Sequence, residues 1–379
     1  MCLNQLSAGS GNCASGSDGC IEVYLAQQQN TSLANLSRLA NVMIGTHAVA
    51  AVTTSGYDCV GALSKAASKA INFSGNSCVC LGTAAGSCNS TCTATCGVFS
   101  NSDAQNSINF QGSTTLTATA FQAVGNYNLN GNALTLNAPT KLTDAAPVTD
   151  PYSCSPPQIG CAGTITWPSV SGSEITAPSS GTTLTPGTYN GPMQFTSGTT
   201  VICPGVYIID GEDTSSRAAF EVSSGATVQM GTAGSGGCPA NGINGVTIIA
   251  TCSGTNRSTG GGFQISSKAT VTLSAPNSSP ETGIPSGLLF AQNPNTADTK
   301  TNGKEADSRI VANSNSALKG LLYTPATNLT FQGNSNSTCF LAIAQTVTFN
   351  GDSTMSGSQP ACQLAGVTGP TVTSIALTQ

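Results

Sequence analysis

Charge is what this chain has least of. Only 7 % of its 379 residues are Asp, Glu, Lys or Arg, against about 25 % in ordinary soluble domains. Coiled coils and helical bundles are excluded, because Lys, Glu, Arg and Leu are what those folds use. With eleven Lys and Arg and a net charge of −5, the clustered basic surface that nucleic-acid binding needs is excluded too. Histidine is nearly absent. His47 stands alone in the alternating segment "IGTHAVAAV", so zinc patterns built on Cys and His are all but ruled out. A Ser–His–Asp or Cys–His nucleophile would have to rest on this one residue, and the simpler reading is a strand histidine with a satisfied hydrogen bond. Aromatic residues are scarce at 5 %, with Trp167 the one tryptophan, which counts against a sugar-stacking platform. No apolar run approaches the roughly 18 residues of a membrane span.

What the chain has instead is glycine, 43 of them, with Ser, Thr, Asn and Gln supplying the polarity. Thr, Val, Ile and Phe alternate between Gly and Asn turns, which reads as β-structure. Sixteen cysteines, an even number, point to disulfides in an oxidising compartment. The opening "MCLNQLSAGSGNC" has neither the basic nor the apolar region of an export signal. The expectation is therefore an exported protein whose numbering starts inside a longer precursor.

One short phrase recurs. It appears as "INFSGNS" at Ile71, "INFQGST" at Ile108, "YNLNGNA" at Tyr127, "FEVSSGATV" at Phe220, "FQISSKATV" at Phe263, "LTFQGNSNST" at Leu329 and "VTFNGDSTMS" at Val347. Gly112 and Gly131 stand 19 apart, and Gly333 and Gly351 stand 18 apart. Repeats near twenty residues that cannot bury a face alone mark a solenoid. The spacing predicts a right-handed parallel β-helix with loops inserted into some coils, the alternatives being a β-sandwich or a propeller.

Residues 1–57 read differently. "CIEVYLAQQ" and "MIGTHAVAAVTT" alternate as strands, and "NTSLANLSRLANV" between them places Leu33, Leu36 and Leu39 at helical spacing behind an Asn30 or Thr31 cap. A short second helix is expected at "VGALSKAASKA". The organisation expected is a small α/β segment over 1–57, a first β-repeat region over 58–137, a connecting or covering segment over 138–192, a second β-repeat region over 193–362 and a tail strand over 363–379. Half of the 18 prolines fall in 138–192, where a missing ladder donor argues against central strands. The tail "TVTSIALTQ" alternates without a turn signal and has no obvious partner, so it is expected either to fray or to dock on a neighbouring molecule's edge.

The words "PGVYIIDG", "FEVSSGATV", "GVTIIAT", "VTLSAPNSSPETGIPSGLLFAQ", "LKGLLYTPATNLTFQGNS" and "AQTVTFNGDSTM", in that order, resemble the extracytoplasmic region of TadG-like proteins of Tad/Flp (tight adherence) pilus assembly. Upstream, "HAVAAVTTSGYDCVGAL", "CGVFSNSDAQNSINFQGSTTLTA" and "APVTDPYSC" are similar to the same family's middle section. The resemblance covers residues 42–362. It implies an envelope or pilus-associated structural role and no catalytic residues. Two departures stand out. That family begins with a membrane-spanning helix and a pilin-like region, of which residues 20–54 are at most the tail, and it carries fewer cysteines.

Several constellations are candidates for chemistry. "IIDGEDTSSR" gathers Asp210, Glu212, Asp213 and Arg217, the carboxylates and base that β-helical polysaccharide lyases and hydrolases place on one face. Such a loop could also hold Ca²⁺, while Asp-Gly is an ordinary turn signal, the reading preferred here. Asp298, Glu305 and Asp307 read as a solvated loop. The cluster Cys78, Cys80, Cys88, Cys92 and Cys96 could bind a soft metal but is read as disulfides closing an extruded loop. Cys339 and Cys362 are candidates for a terminal staple, Cys238 and Cys252 for a loop clamp, and Cys13, Cys20, Cys154 and Cys161 for further bridges. Asn89, Asn256, Asn277, Asn328 and Asn336 head Asn-x-Ser/Thr triplets, expected by chance in such a composition.

The expectation is a structural protein of the bacterial cell envelope or surface, without catalysis, cofactor, metal or nucleic acid. Its partners would be copies of itself or other pilus and envelope proteins. The alternatives are a polysaccharide lyase or hydrolase using Asp210, Glu212 and Asp213, and a glycan-binding adhesin.

Overall fold

A computed structural model describes residues 2–7, 19–30, 41–83, 92–130, 135–138, 140–153, 164–168, 175–176, 181–213, 215–252, 260–297, 306–311, 316–334, 339–356 and 371–378. Among them the chain is mainly β and contains no helix. It divides into two compact units, Met1–Ser55 with Thr371–Gln379, and Gly56–Pro370.

The first unit is antiparallel. Cys2–Ser7 pairs with Gly19–Asn30, which pairs with Asn41–Ala62 from Gly19 opposite Val52 to Asn30 opposite Asn41. The two strands expected here are present. The helix expected between them falls on residues 31–40, outside the described residues. His47 lies opposite Tyr24. The C-terminal strand Thr371–Thr378 belongs to this unit. The tail, expected to fray or to dock on a neighbouring molecule, is grouped with the strands of this unit.

In the second unit the strands stack as three columns of parallel pairs. The first column joins Ile175–Thr176, Gly187–Asn190, Gly205–Asp210, Val246–Thr251 and Leu288–Gln292. It continues through 321–323 and 342–344 to 57–62, then Cys96–Ser100, Ala120–Ala123 and Thr140–Leu142. The second runs from Met193–Phe195 through Ala218–Val222, Gly262–Ile265, Ser308–Val311, 329–332 and 347–350, to Ile71–Gly75, Ile108–Gly112 and Tyr127–Asn130. The third includes Thr183–Leu184, Thr199–Ile202, Thr227–Met230 and Thr270–Ser274 at one side, and Cys78–Cys80, Thr115–Thr117 and Thr135–Asn137 at the other. This parallel pairing differs from a β-sandwich, whose sheets are antiparallel. A two-stranded antiparallel pair, Gly82–Thr83 with Thr93–Ala94, lies beside the columns.

The circuits do not stack in sequence order. The chain enters the middle of the stack at residue 57 and climbs to one end at Leu142. It then crosses to the other end and winds back from Ile175, so that its last circuit, 342–356, lands on its first. The described residues of the crossing, 143–153 and 164–168, run as a strap. Ala145 N–H bonds Ala123 O, and Val148 and Asn101 exchange two bonds of 2.8 Å. Further along, Tyr323 donates to the Asp150 carboxylate at 2.7 Å, the Tyr152 ring lies 5.2 Å from Tyr323, and Thr166 N–H bonds Gly283 O. A strap needs few ladder donors, which is where proline costs least.

The recurring phrase builds the second column. Its Phe331, Phe349, Phe73 and Phe110 stack in turn at 5.2, 5.0 and 4.9 Å, with planes within 14°. That spacing matches the roughly 4.8 Å between paired strands, as identical residues in register require. The phrase's glycine turns the corner. Gly351, Gly75 and Gly112 have φ of 69°, 79° and 87°, and a Cβ at Gly112 would fall 2.4 Å from the Gly75 carbonyl oxygen.

The helix expected at 60–70 is instead the end of strand Asn41–Ala62 followed by a turn. Val60 is paired with both Val98 and Ala342, and Leu63 N–H continues to Ala344 O. Ladder bonds on both sides override the helical preference of Ala and Lys.

Truncating Phe73 or Phe349 to alanine opens a cavity where the first and last circuits of the unit meet. Each is expected to cost about 3–5 kcal/mol, and the double variant less than the sum, because the rings share one contact. Urea unfolding of the three variants measures both effects.

Candidate functional site

The loop that best resembles an acid/base site is occupied with turn-making. Asp210 closes strand Gly205–Asp210 and is buried. Glu212 is ion-paired with Arg217, Oε1 to Nη1 2.8 Å, both side chains well buried. Arg217 stands at a φ of 60°, and its N–H bonds Asp213 O at 2.8 Å. The Asp213 carboxylate accepts from the Ser215 hydroxyl at 2.5 Å and from the Ser216 and Ser215 N–H groups at 2.7 and 2.9 Å. Those bonds, the Ser215 hydroxyl first and the Ser216 N–H next, pull its pKa down to about 2. A group ionised so firmly cannot serve as a general acid near neutral pH. Glu212 and Asp213 thus have separate structural tasks.

Beside this loop the second column shows its outward face. Gln194, Glu221, Gln264, Arg309, Thr330, Thr348, Asn72, Asn109 and Asn128 occupy one register line. Gln194 donates to Glu221 at 3.2 Å, Ser216 to Glu221 at 2.9 Å, and Gln264 to Ser216 O at 2.6 Å. Asn109 donates to Asn72 at 2.7 Å. On this face a groove of about 330 Å³ is lined by Gln264, Ser266, Ser267, Arg309 and Gln332 above Ile265. Arg309 donates through Nη2 to Gln332 Oε1 at 2.8 Å, which orients its guanidinium.

Sequence reasoning placed this arginine at the end of a solvated loop. Asp298 and Glu305 lie outside the described residues, whereas Asp307 accepts the Asn328 N–H at 3.1 Å and Arg309 belongs to strand Ser308–Val311. The alternation of buried Ser308 and Ile310 with exposed Arg309 was the available signal.

Two disulfides join neighbouring circuits, and a third closes the loop between strands Cys78–Cys80 and Thr93–Ala94. Cys59 bonds Cys96, Cys80 bonds Cys92, and Cys203 bonds Cys238; Cys78 is also disulfide-bonded. Thiolates at these positions are not available to a soft metal. The expected Cys238–Cys252 clamp does not form. Cys238 folds back onto Cys203, with Cα atoms 5.2 Å apart, while Cys252 follows strand Val246–Thr251. Cys59 escaped the sequence reading because its partner lies one circuit away, a relation that spacing does not display. Cys13, Cys88, Cys154, Cys161 and Cys362, and the side chains of Cys20 and Cys339, lie outside the described residues. So do Asn89, Asn256 and Asn336, whereas Asn277 accepts from Asn244 at 2.5 Å and Asn328 from Thr346 at 2.6 Å.

A further carboxyl was not foreseen. Asp58 is fully buried, and neither of its oxygens has a hydrogen-bond partner among the described residues. It lies against Gly97, where a Cβ would come within 2.5 Å of Oδ1; the glycine makes its room. No family model, curated protein or solved structure matches this chain.

Burial holds the Asp58 pKa well above the usual 3.8. A carboxyl raised on folding contributes stability that is fully present below its unfolded pKa and is lost as pH rises through the folded one. Asp58→Asn cannot ionise, so it is expected to melt higher than the native chain at pH 7. The two should converge near pH 3.5, below that unfolded value of 3.8. Thermal melts at both pH values check this.

Proposed function

We propose that this chain is a non-catalytic structural protein of the bacterial cell envelope or surface, its second unit a right-handed parallel β-helix. The carrying observation is the first column, continuous from Ile175 to Leu142 across the meeting of 342–344 with 60–62. Parallel crossovers are right-handed almost without exception, which supports the handedness. Disulfides between circuits fit an exported protein. No described helix is long and apolar enough to cross a membrane. The resemblance to TadG-like proteins supports association with Tad/Flp pilus assembly or with an appendage. The carboxylates of the 210–217 loop support the non-catalytic reading, because Glu212 is neutralised by Arg217 and Asp213 caps a turn.

Immunogold labelling of intact source cells tests the location, and incubation with acidic polysaccharides tests the chemistry. Surface label without turnover is expected. Label confined to the interior, or a turnover abolished by Asp213→Ala, would overturn the reading.

One observation favours a second reading, a glycan-binding adhesin. The groove at Arg309 offers an oriented guanidinium among amides and hydroxyls, a set that suits a carboxylate-bearing sugar. If so, uronate oligosaccharides bind, and Arg309→Ala weakens them about tenfold, the loss of one charge-assisted hydrogen bond. Titration calorimetry decides it, and equal affinity in the variant refutes it.

A further inference from the structure

The two ends of the stack differ from its interior. At one end Thr140–Leu142, Tyr127–Asn130 and Thr135–Asn137 each have a parallel partner on one side only, among the described residues. At the other, Ile175–Thr176 pairs only with 189–190, Thr183–Leu184 only with 201–202, and Met193–Phe195 only with 220–222. Unpaired strand edges are templates for another strand, and proteins that must stay single blunt them with charge, proline or bulges. Across these six end strands the one charged residue is Lys141.

The apolar surface points to the same places. Two large hydrophobic side chains are exposed among the described residues, Leu129 at 47 % and Ile175 at 42 %. A single exposed leucine or isoleucine means little. Their positions carry the meaning, because Leu129 extends the register line of Phe110 and Phe73 at one end, and Ile175 extends that of Tyr189 at the other.

The molecule also contains its own precedent. Where 347–350 lies on 71–74, circuits far apart in sequence stack through backbone pairing, the Phe349–Phe73 contact and the bond from Ser74 to Phe349 O across 275 residues. Stacking here does not require chain continuity.

Resting on the structural reading above, we propose that a second copy of this chain stacks on these ends, the Leu129 end of one molecule on the Ile175 end of the next. Since the columns are parallel, this head-to-tail arrangement continues them in the same sense, and a heterologous contact that does not close propagates into a filament.

The test uses the full, oxidised chain and light scattering over a concentration series. The native chain is expected to grow beyond dimers as concentration rises. Leu129→Lys and Ile175→Lys each disable one end, so either alone should remain monomeric. Mixed in equal amounts they should form dimers and stop, because each supplies the end the other has lost. A native chain that stays monomeric, a variant that still self-associates, or a mixture without dimers would each overturn the proposal. Circular dichroism checks folding, and Leu129→Ser with Ile175→Ser repeats the logic if a lysine variant unfolds. A surface-labelled chain that stays monomeric refutes the stacking alone, whereas a stacking chain absent from the surface refutes the structural reading alone.

Discussion

Phe349 lies on Phe73 at 5.0 Å with planes 5° apart, and the second unit depends on that meeting. Residues 57–142 form circuits that rest on one another, and residues 175–356 form another set. Neither set buries its inner edge until 342–350 pairs with 60–74. A stacked pair of rings contributes about 0.5–1.5 kcal/mol beyond its burial, and here it comes with backbone bonds on either side. The early circuits must wait for the last ones, a non-local requirement of the kind that slows folding. The Cys59–Cys96 and Cys80–Cys92 bonds restrict the early part of the chain independently of that meeting.

Register explains the composition. When every circuit places the same position above its neighbour, like charges would lie about 4.8 Å apart, and a ladder of them would repel. Neutral amides and hydroxyls can donate and accept along the ladder, as Asn109 to Asn72 and Ser74 to Asn350 do. The charges that remain are dealt with individually. Glu212 is matched by Arg217, Asp213 is wrapped in N–H and O–H donors, Asp150 is clasped by Tyr323, and burial pushes the Asp58 pKa up.

Much of the site was hidden in sequence for related reasons. The carboxylates of "IIDGEDTSSR" are adjacent, as a catalytic cluster would be, yet the turn reading preferred from sequence agrees with Glu212 pairing with Arg217 and Asp213 accepting from Ser215 and Ser216. Arg309 reads as the end of a charged loop, yet its alternation with Ser308 and Ile310 makes it part of a strand. Gln264, Arg309 and Gln332 line one groove because they lie on successive circuits, a relation that spacing shows only when inserted loops are short.

Sequence by itself determined the β class, the corner glycines and the inward Phe of each phrase, because alternation and turn chemistry act within a few residues. The prolines of 138–192 fall outside its described strands, since proline has no donor to give, yet Thr140–Leu142, Ile175–Thr176, Thr183–Leu184 and Gly187–Asn190 within that stretch pair in the columns. The tertiary structure alone decided which phrase lies on which, that the last circuit caps the first, and that Cys59 and Cys203 find Cys96 and Cys238. Near-identical phrases carry no local mark of their neighbour. Their order is set by the crossing that returns the chain to the far end, and by the burial completed when the last circuit meets the first.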